Sequence, residues 1–348
     1  MPAAAPYPHI DPDVSLLLTV AICTRNRARL LRQTLEQMTR LAIPPAVTWE
    51  LIVVENNCSD DTAGVLSEFR DRLPIRAISE ETLGLSNARN AAVESARGQY
   101  IIWTDDDVLV DERWLAAYVS AFERYPHATI FGGPISPWFE GRPPRWLENA
   151  VTDLGSAFAL RQADREDPIT ERNTPFGANM AFRTDVMRST PFDPALGRVG
   201  NIMLGCEETA VIEKLLTRGH TGRWVPGARV RHYIPAARQT TAYLRRYYGG
   251  DAATHQLLSG GVRARLLFGK PRWMWREVIT REMVYRLHRL YAHPATWIAD
   301  LKVAGAAWGR FQLDWTRPAE SNSGAGGAWT NAYRYVTPAT KSTAGGAR

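Results

Sequence analysis

Long hydrophobic runs are absent from this 348-residue sequence. The apolar run at residues 14–23 is about half as long as the roughly 20 residues that a transmembrane helix needs. Asp11 and Asp13 precede this run, where an export signal would carry positive charge. We therefore expect neither a membrane-spanning helix nor an export signal.

Cysteine is also scarce. Cys23, Cys58 and Cys206 are the only three, they lie far apart, and they form no CxxC pair. This usage argues against a disulfide framework or a zinc site and suits a reducing compartment. We expect a cytoplasmic protein, free in solution or peripheral on the inner face of the cell membrane.

Two further patterns are missing, an internal repeat and a glycine-rich loop after the first predicted strand. That strand is followed by CTRNRARLL, which carries cations but no glycine. The GxGxxG fingerprint of dinucleotide-binding Rossmann proteins is therefore absent. The composition, 45% hydrophobic and 22% charged, is that of a soluble globular chain large enough for two domains, or for one with additions.

The net charge of +6 is concentrated near the C-terminus. Residues 262–318 contain eleven Arg or Lys against four Asp or Glu, and five of the twelve tryptophans. Such a stretch fits a face on an anionic membrane, with Trp at the interface and Arg at the headgroups. It equally fits a helical appendage packed on the core. The basic residues form no recognisable nucleic-acid module, so we expect no nucleic-acid partner.

Strand-like and helical patterns alternate along the first part of the chain. Strands are predicted at 16–23, 50–55, 75–79, 99–104 and 128–133, with helical spacing between them and a helix at 111–125. A further helix (205–219), a strand (227–234) and a helical region (240–318) follow. The alternation predicts an α/β fold with an open, mainly parallel sheet, helices on both faces and a C-terminal helical extension.

Three carboxylates end the fourth predicted strand. In an extended chain Asp105 and Asp107 point the same way and Asp106 points oppositely. Two same-facing carboxylates at the carboxyl edge of such a sheet suit Mg²⁺ or Mn²⁺. The other interpretation is a solvated loop in which one Asp caps the helix near residue 111.

Two other positions lie at the same predicted edge. Glu55 ends the second strand, where an acid can accept hydrogen bonds from a ribose or a base. Arg89 lies near the start of a helix, whose N-terminus favours anions. Arg89 could equally be a surface charge.

Five ordered segments resemble the family 2 inverting glycosyltransferases of GT-A fold. They are VAICTRNRARLLRQTLEQM, LIVVENNCSDDT, GLSNARNAAVESARGQYIIWTDDDV, GCEETAVIEKLLTRGH and GARVRHYIP, within residues 15–235. The resemblance implies a GT-A-type sheet and transfer of a sugar from a nucleotide-diphosphate donor.

The resemblance also implies roles for individual residues. The metal-binding DxD motif falls on Asp105 and Asp107, and the family's metal-site histidine matches His232. The residues expected at the sugar nucleotide are Thr24, Arg25, Glu55, Asn57, Arg89, Asp105 and Asp106. Where the family more often has Asp, this chain has Glu55. Without the acids, His232 would more often be a structural residue.

The family's catalytic base is usually the Asp of an ED pair, and this pair reads Glu207–Glu208 here. Glu208 aligns with the base, with Glu207 as the second candidate. The extra methylene moves the carboxylate by roughly an ångström, a shift that affects catalysis. Both glutamates would also suit the first turn of a helix with no catalytic role.

We therefore expect a Mn²⁺- or Mg²⁺-dependent inverting glycosyltransferase acting in bacterial surface polysaccharide or glycolipid assembly. Its expected partners are a sugar nucleotide, a saccharide or polyprenyl-linked acceptor and an anionic membrane surface. The alternatives are a non-catalytic sugar-nucleotide-binding scaffold and a sugar-phosphate nucleotidyltransferase, although the latter needs a glycine-rich loop after the first strand.

The expected organisation has five parts. They are a Pro-rich arm (1–13), a nucleotide-sugar-binding α/β half (14–135), an acceptor and catalytic half (136–250), a basic Trp-rich helical extension (251–318) and a disordered tail (319–348).

Overall fold

The computed structural model describes most of the chain between the two termini. The described residues are 16–194, 196, 207–258, 265–313 and 315. The predicted arm (1–13), the predicted tail (319–348) and Cys206 lie outside them.

Twelve strands are present in the described residues. They are β1 (Leu16–Thr24), β2 (Val47–Asn56), β3 (Ile75–Glu80), β4 (Tyr100–Asp105), β5 (Val108–Val110), β6 (Ile130–Gly132), β7 (Ile135–Phe139), β8 (Asn179–Arg183), β9 (Gly222–Trp224), β10 (Val230–Ile234), β11 (Leu266–Leu267) and β12 (Lys270–Pro271). The first four coincide with the predicted strands to within a few residues. The apolar runs of β1, β2 and β4 are buried on both faces of the sheet, whereas the edge strand β3 is only half-buried.

Eleven α-helices accompany these strands in the described residues. They are α1 (Ala28–Met38), α2 (Thr62–Phe69), α3 (Leu85–Ser95), α4 (Trp114–Arg124), α5 (Arg145–Ala150), α6 (Gly155–Phe158), α7 (Thr184–Arg188), α8 (Glu207–Thr217), α9 (Thr241–Leu258), α10 (Arg272–Tyr291) and α11 (Pro294–Gln312).

A seven-stranded sheet with the order β3-β2-β1-β4-β8-β6-β9 forms the centre of the fold. The first four strands are parallel neighbours, and β8 runs antiparallel between β4 and β6. Alternate residues of β1 enter opposite hydrophobic clusters. Val20 packs with residues of α1, α2 and α4, and Ala21 packs with residues of α3 and α8. The predicted mainly parallel sheet with helices on both faces is confirmed.

Strand register aligns the polar positions at one edge. Thr24 at the end of β1 pairs with Glu55 on β2, Glu55 pairs with Ser79 on β3, and Cys23 pairs with Asp105 on β4. A second sheet, in the order β5-β10-β7, continues beside this edge. In it His232 on β10 pairs with Val108, immediately after the acid triplet. Two segments distant in sequence therefore meet at the carboxyl ends of the parallel strands.

Helices α9, α10 and α11 form the C-terminal extension. Helix α9 continues unbroken through residues 250 and 251, where we expected the extension to begin. It crosses α11 closely, since neither helix has a side chain at the crossing point. Gly309 of α11 lies so near the Gly249 carbonyl that a Cβ atom at Gly309 would collide with it. In the described part of the chain, no helix has both the length and the apolar character needed to span a bilayer.

Most of the tryptophans of this extension pack inside it. Trp297 is buried against Trp146, with ring centroids 5.5 Å apart. Trp275 and Trp308 both pack edge-on against Phe311. Trp297 is therefore part of a buried cluster between the extension and α5, whereas Trp275 and Trp308 are half-buried, so the membrane-facing role stays a prediction.

Candidate active site

The acid triplet does not cap a helix. Helix α4 starts at Trp114, after the intervening strand β5, and the preceding Arg113 N–H donates to Asp111 Oδ1 at 2.9 Å. Asp105, Asp107 and His232 each offer one ligand atom, and these atoms lie within 4.8 Å of one another. The structure thus brings together the three residues predicted to bind metal.

His232 is held in one orientation. Its Nδ1 lies 2.7 Å from the Phe158 carbonyl oxygen, which can only accept, so Nδ1 carries the proton. The other ring nitrogen, Nε2, lies 3.4 Å from Asp107 Oδ1. A backbone contact that fixes the tautomer of a metal-facing imidazole is typical of metal sites.

Arg27 contacts two members of the triplet, and sequence analysis did not single it out. Its Nη1 donates to Asp106 Oδ1 at 3.0 Å and to Asp107 Oδ2 at 2.7 Å. Asp106 is buried and also accepts a hydrogen bond of 2.7 Å from Thr24 Oγ1. Asp106 and Thr24, both expected at the sugar nucleotide, therefore contact each other, with Thr24 at the end of β1 and Asp106 directly after β4.

The electrostatics of the triplet separate its two buried members. Burial acts to raise the pKa of Asp107, but His232 and Arg27 outweigh it and hold that pKa below its usual range. Burial and the neighbouring Asp107 raise the pKa of Asp106, against the opposing charge of Arg27. Asp107 is therefore the more firmly ionised of the two.

A divalent cation fits this donor set. Two carboxylates and one neutral imidazole nitrogen suit Mn²⁺ and, with more water, Mg²⁺. Asp105 is half-buried, so the group is open on one side, as a site that also receives a substrate phosphate requires.

A second cluster joins Arg89 to both glutamates. Arg89 Nη1 lies 3.0 Å from Glu207 Oε1 and 3.7 Å from Glu208 Oε2. The Arg89 side chain is only 4% exposed, and its guanidinium lies over the rings of Phe192 and Trp103. The interpretation of Arg89 as a surface charge is therefore wrong. Its tertiary surroundings could not be read from the local sequence.

Gly177 completes this cluster. Its N–H points at Glu208 Oε1 over 3.5 Å, and a Cβ atom at this position would collide with the Arg89 guanidinium. Glu208 Oε2 is buried and has no hydrogen-bond partner among the described residues. The same oxygen lies 3.7 Å from Arg89 Nη1, in the ion pair described above.

The two glutamates differ in their proton affinity. Burial and the Glu208 charge raise the pKa of Glu207 to about 8, although Arg89 opposes this shift. Burial acts on Glu208 too, but Arg89 and a hydrogen bond from Glu207 hold the pKa of Glu208 below its usual range. One guanidinium cannot balance two buried carboxylates, so the pair retains one proton near neutral pH.

This retained proton predicts a pH-dependent stability. Folding raises the pKa of Glu207 from its usual 4.5 to about 8. The stabilisation is fully present below pH 4.5 and is lost as pH rises through about 8. We expect the free energy of unfolding to fall by a few kcal/mol, on the order of that shift, between about pH 5 and pH 8.

Urea unfolding of the wild type and Glu207→Gln at both pH values measures this effect. Gln keeps a donor toward Glu208 but does not titrate, so the decline should be smaller in the variant. Glu213→Gln, on the exposed side of the same helix, is the matched control and should behave like the wild type. Equal declines in all three proteins would contradict the assignment.

The predicted nucleoside-binding residues line a separate cleft at the same edge. Glu55 and Asn57, together with Ser79, border a cavity of about 500 Å³. Arg25 is exposed directly after β1. Asn56, which the sequence did not indicate, is buried, and its side chain holds the loop after β3 through the Thr82 carbonyl and the Gly84 N–H.

The cation-type trio (Asp105, Asp107 and His232) lies close enough to the Arg89 cluster (Arg89, Glu207 and Glu208) for their charges to interact. Asp105 joins Glu207 and Glu208 in raising the pKa of Arg89, which burial alone would lower. The acids at 105–107, the glutamates at 207–208 and His232 therefore lie around one edge of the fold, as the sequence-based hypothesis requires.

Comparison with known proteins agrees with this arrangement. Residues 19–189 match the family described as Glycosyl transferase family 2. The succinoglycan biosynthesis protein ExoM of Rhizobium meliloti is 23% identical over 263 residues, which are 74% of this chain and 78% of ExoM. Validoxylamine A glucosyltransferase of Streptomyces hygroscopicus subsp. limoneus is 31% identical over 160 residues, 45% of this chain but only 35% of that enzyme.

Solved structures share the fold at low sequence identity. The mannosyltransferase PcManGT from Pyrobaculum calidifontis, solved with GDP-Man and Mn²⁺, has a TM-score of 0.55 and 18% identity, covering 86% of this chain and 88% of that one. S. aureus TarS 1-349 in complex with UDP has a TM-score of 0.50 and 13% identity over 85% of this chain and 90% of that one. The matched segment contains Arg89 and the acid triplet on a GT-A-like sheet, so this chain is a glycosyltransferase whose residues 19–189 match glycosyl transferase family 2.

Proposed function

We propose that this protein is a metal-dependent inverting glycosyltransferase that moves a sugar from a nucleotide-diphosphate donor to a hydroxyl acceptor. The observation that carries the proposal is the convergence of two groups at one sheet edge. Asp105, Asp107 and His232 form a cation-type trio, and beside it Arg89 pairs with Glu207 and Glu208.

Asp105, Asp107 and His232 would hold Mn²⁺ or Mg²⁺. When bound, the cation supplies positive charge that stabilises the nucleoside diphosphate as a leaving group. The His232–Phe158 contact keeps Nε2 directed at this site. Arg27 pairs with Asp107 Oδ2 and so holds the Asp107 side chain in place.

The cleft at Glu55 and Asn57 would take the nucleoside of the donor. A carboxylate accepts hydrogen bonds from ribose hydroxyls or base N–H groups, and an amide can both donate and accept. Thr24 and Arg25 lie at the end of the adjacent strand β1, and Asn56 supports the loop behind the cleft. PcManGT was solved with GDP-Man and Mn²⁺, which motivates this donor class and ion for the present fold.

Glu208 is the proposed catalytic base. Its carboxylate, on a side chain that is 15% exposed, would take the proton of the acceptor hydroxyl. The acceptor oxygen bonds to the sugar C1 as the C1–O bond to the diphosphate breaks on the opposite face, which inverts the configuration. The lowered pKa of Glu208 keeps it ionised for this role at neutral pH.

Arg89 and Glu207 would act as positioning residues for that base. Arg89 is fully enclosed, so we propose that it orients the glutamates in place of the expected contact with the nucleotide. Glu207 keeps its proton, because burial raises its pKa, and is therefore unsuited to be the base at neutral pH.

The biological setting of the proposal is surface polysaccharide or glycolipid assembly. The relative ExoM is named for succinoglycan biosynthesis, which favours a saccharide acceptor, and we include a polyprenyl-linked saccharide in the proposal. The family match argues against the nucleotidyltransferase alternative. The scaffold alternative predicts donor binding without turnover.

Thermal unfolding with a panel of UDP-, GDP- and dTDP-sugars tests the proposal, because a ligand that binds the native state stabilises it. With Mn²⁺ present, we expect one donor at about 100 times its Kd to raise the free energy of unfolding by about 3 kcal/mol. The melting temperature should then rise by several degrees. The stabilising donor should also be hydrolysed slowly in the absence of acceptor, and EDTA should abolish both effects. Donor binding without any hydrolysis or transfer would favour the scaffold, and no stabilisation by any donor would overturn the proposal.

A further inference from the structure

Helix α10 is apolar on two opposite sides. Its inner side buries Met274, Val278 and Tyr285. Four large apolar side chains on the outer side are 55–83% exposed, namely Ile279, Met283, Leu287 and Leu290. At about 100° per residue these four fall within a sector of about 80°, nearly opposite the buried side. A soluble helix has no packing reason for this second stripe.

The hairpin of β11 and β12 extends this exposed surface. Leu266 and Leu267 are 43% and 42% exposed, and Phe268 at the turn is 85% exposed. Phe268 has a φ of 50°, a left-handed conformation that bulky residues rarely adopt. The hairpin ends at Pro271, and α10 begins at the next residue, so the tip and the helix are directly joined.

Two arginines lie in the chain between the hairpin tip and the outer stripe of α10. Arg272 and Arg276 lie on the exposed side of α10 and form no ion pair with the described residues. The acids of α10 and α11 in that part of the chain pair with bases in the bundle. Glu277 pairs with Arg310, Glu282 with Arg245 and Arg286, and Asp300 with His288.

We infer that this surface binds an anionic phospholipid bilayer. The docking face consists of the hairpin tip (266–268), the outer α10 stripe (Ile279, Met283, Leu287 and Leu290) and the flanking Arg272 and Arg276. Apolar side chains would enter the acyl boundary while arginines meet lipid phosphates. A second copy of this chain would set Arg against Arg, so the charge favours lipid as the occupant.

The docking face connects to the active site through packed side chains. Helix α11 packs against both α10 and α9. On α9, Tyr243 stacks on Phe158 at 6.0 Å and donates a hydrogen bond to the Ala157 carbonyl. The Phe158 carbonyl in turn accepts from His232. Under the proposed function, a docked protein would hold its site at a fixed orientation toward lipid-linked acceptors, but lipid binding itself does not depend on that function.

Vesicle flotation of the full chain, without sugar nucleotide, tests the docking face. We expect flotation with phosphatidylcholine vesicles containing about 30% phosphatidylglycerol and little with phosphatidylcholine alone. Raising NaCl to about 0.5 M should weaken binding severalfold, since lipid phosphates are screened. The pairs Leu267→Ser/Phe268→Ser and Leu287→Ser/Leu290→Ser should each lower the partition coefficient by about tenfold or more.

A charge pair separates specific docking from a general charge effect. Arg272→Glu/Arg276→Glu should abolish flotation. Arg40→Glu/Arg70→Glu changes the net charge equally at exposed positions elsewhere and should float like the wild type. Equal flotation of all variants, or no flotation of the wild type, would overturn the inference. Light scattering provides a further test. If the wild type is a dimer and the serine variants are monomers, the docking face binds a second copy of this chain instead.

Discussion

Glu208→Gln is expected to lower kcat for sugar transfer by about 10²- to 10⁴-fold, the usual contribution of a general base. The amide has nearly the same size but cannot take the acceptor proton. Donor binding should persist, because Glu208 lies in the Arg89 cluster and not in the cleft at Glu55 and Asn57. Steady-state transfer kinetics and the donor-induced rise in melting temperature measure the two effects separately.

Two companion variants sharpen this test. Glu208→Asp keeps the charge and restores the residue that the family more often carries, so it should retain far more activity than Glu208→Gln. Glu207→Gln mimics the protonated state already favoured by burial and should lose much less than Glu208→Gln. Near-normal turnover by Glu208→Gln would remove this residue from the role of base.

Asp107→Asn is expected to remove both Mn²⁺ binding and metal-dependent transfer. Asp107 offers one oxygen to the trio with His232, and its pKa lies below the usual range, so it supplies a full negative charge to a cation. Loss of the leaving-group charge stabilisation is worth several kcal/mol, a rate loss of about 10³-fold or more. Mn²⁺ titration by electron paramagnetic resonance detects the binding defect independently of activity.

Asp111→Asn is the matched control for this variant. Asp111 lies four residues later and is exposed. Among the described residues its side chain accepts a hydrogen bond from the Arg113 N–H. It should bind Mn²⁺ and turn over donor like the wild type. Because Asp107 also pairs with Arg27, circular dichroism must establish that Asp107→Asn is folded. A folded Asp107→Asn protein with unchanged Mn²⁺ affinity would exclude this residue as a ligand.

Local pattern was sufficient for much of the fold. Strands β1, β2 and β4 are apolar runs bounded by polar residues, and because they are buried on both faces their pattern can be recognised without tertiary information. Parallel strands end at a common edge, so the acid triplet could be assigned to a ligand-binding edge from sequence order alone.

The sequence by itself determined the sheet and its polar edge. With the family resemblance it also predicted Asp105, Asp107 and His232 as metal ligands, and the structure brings their ligand atoms within 4.8 Å of one another. Tertiary structure alone decided the partners of Arg27 and Arg89 and the position of the tryptophans near the C-terminus. A charged or aromatic side chain has the same local pattern whether it faces solvent, a ligand or a buried partner. Only the approach of distant segments, such as α8 toward α3 and α11 toward α5, determines which of these it meets.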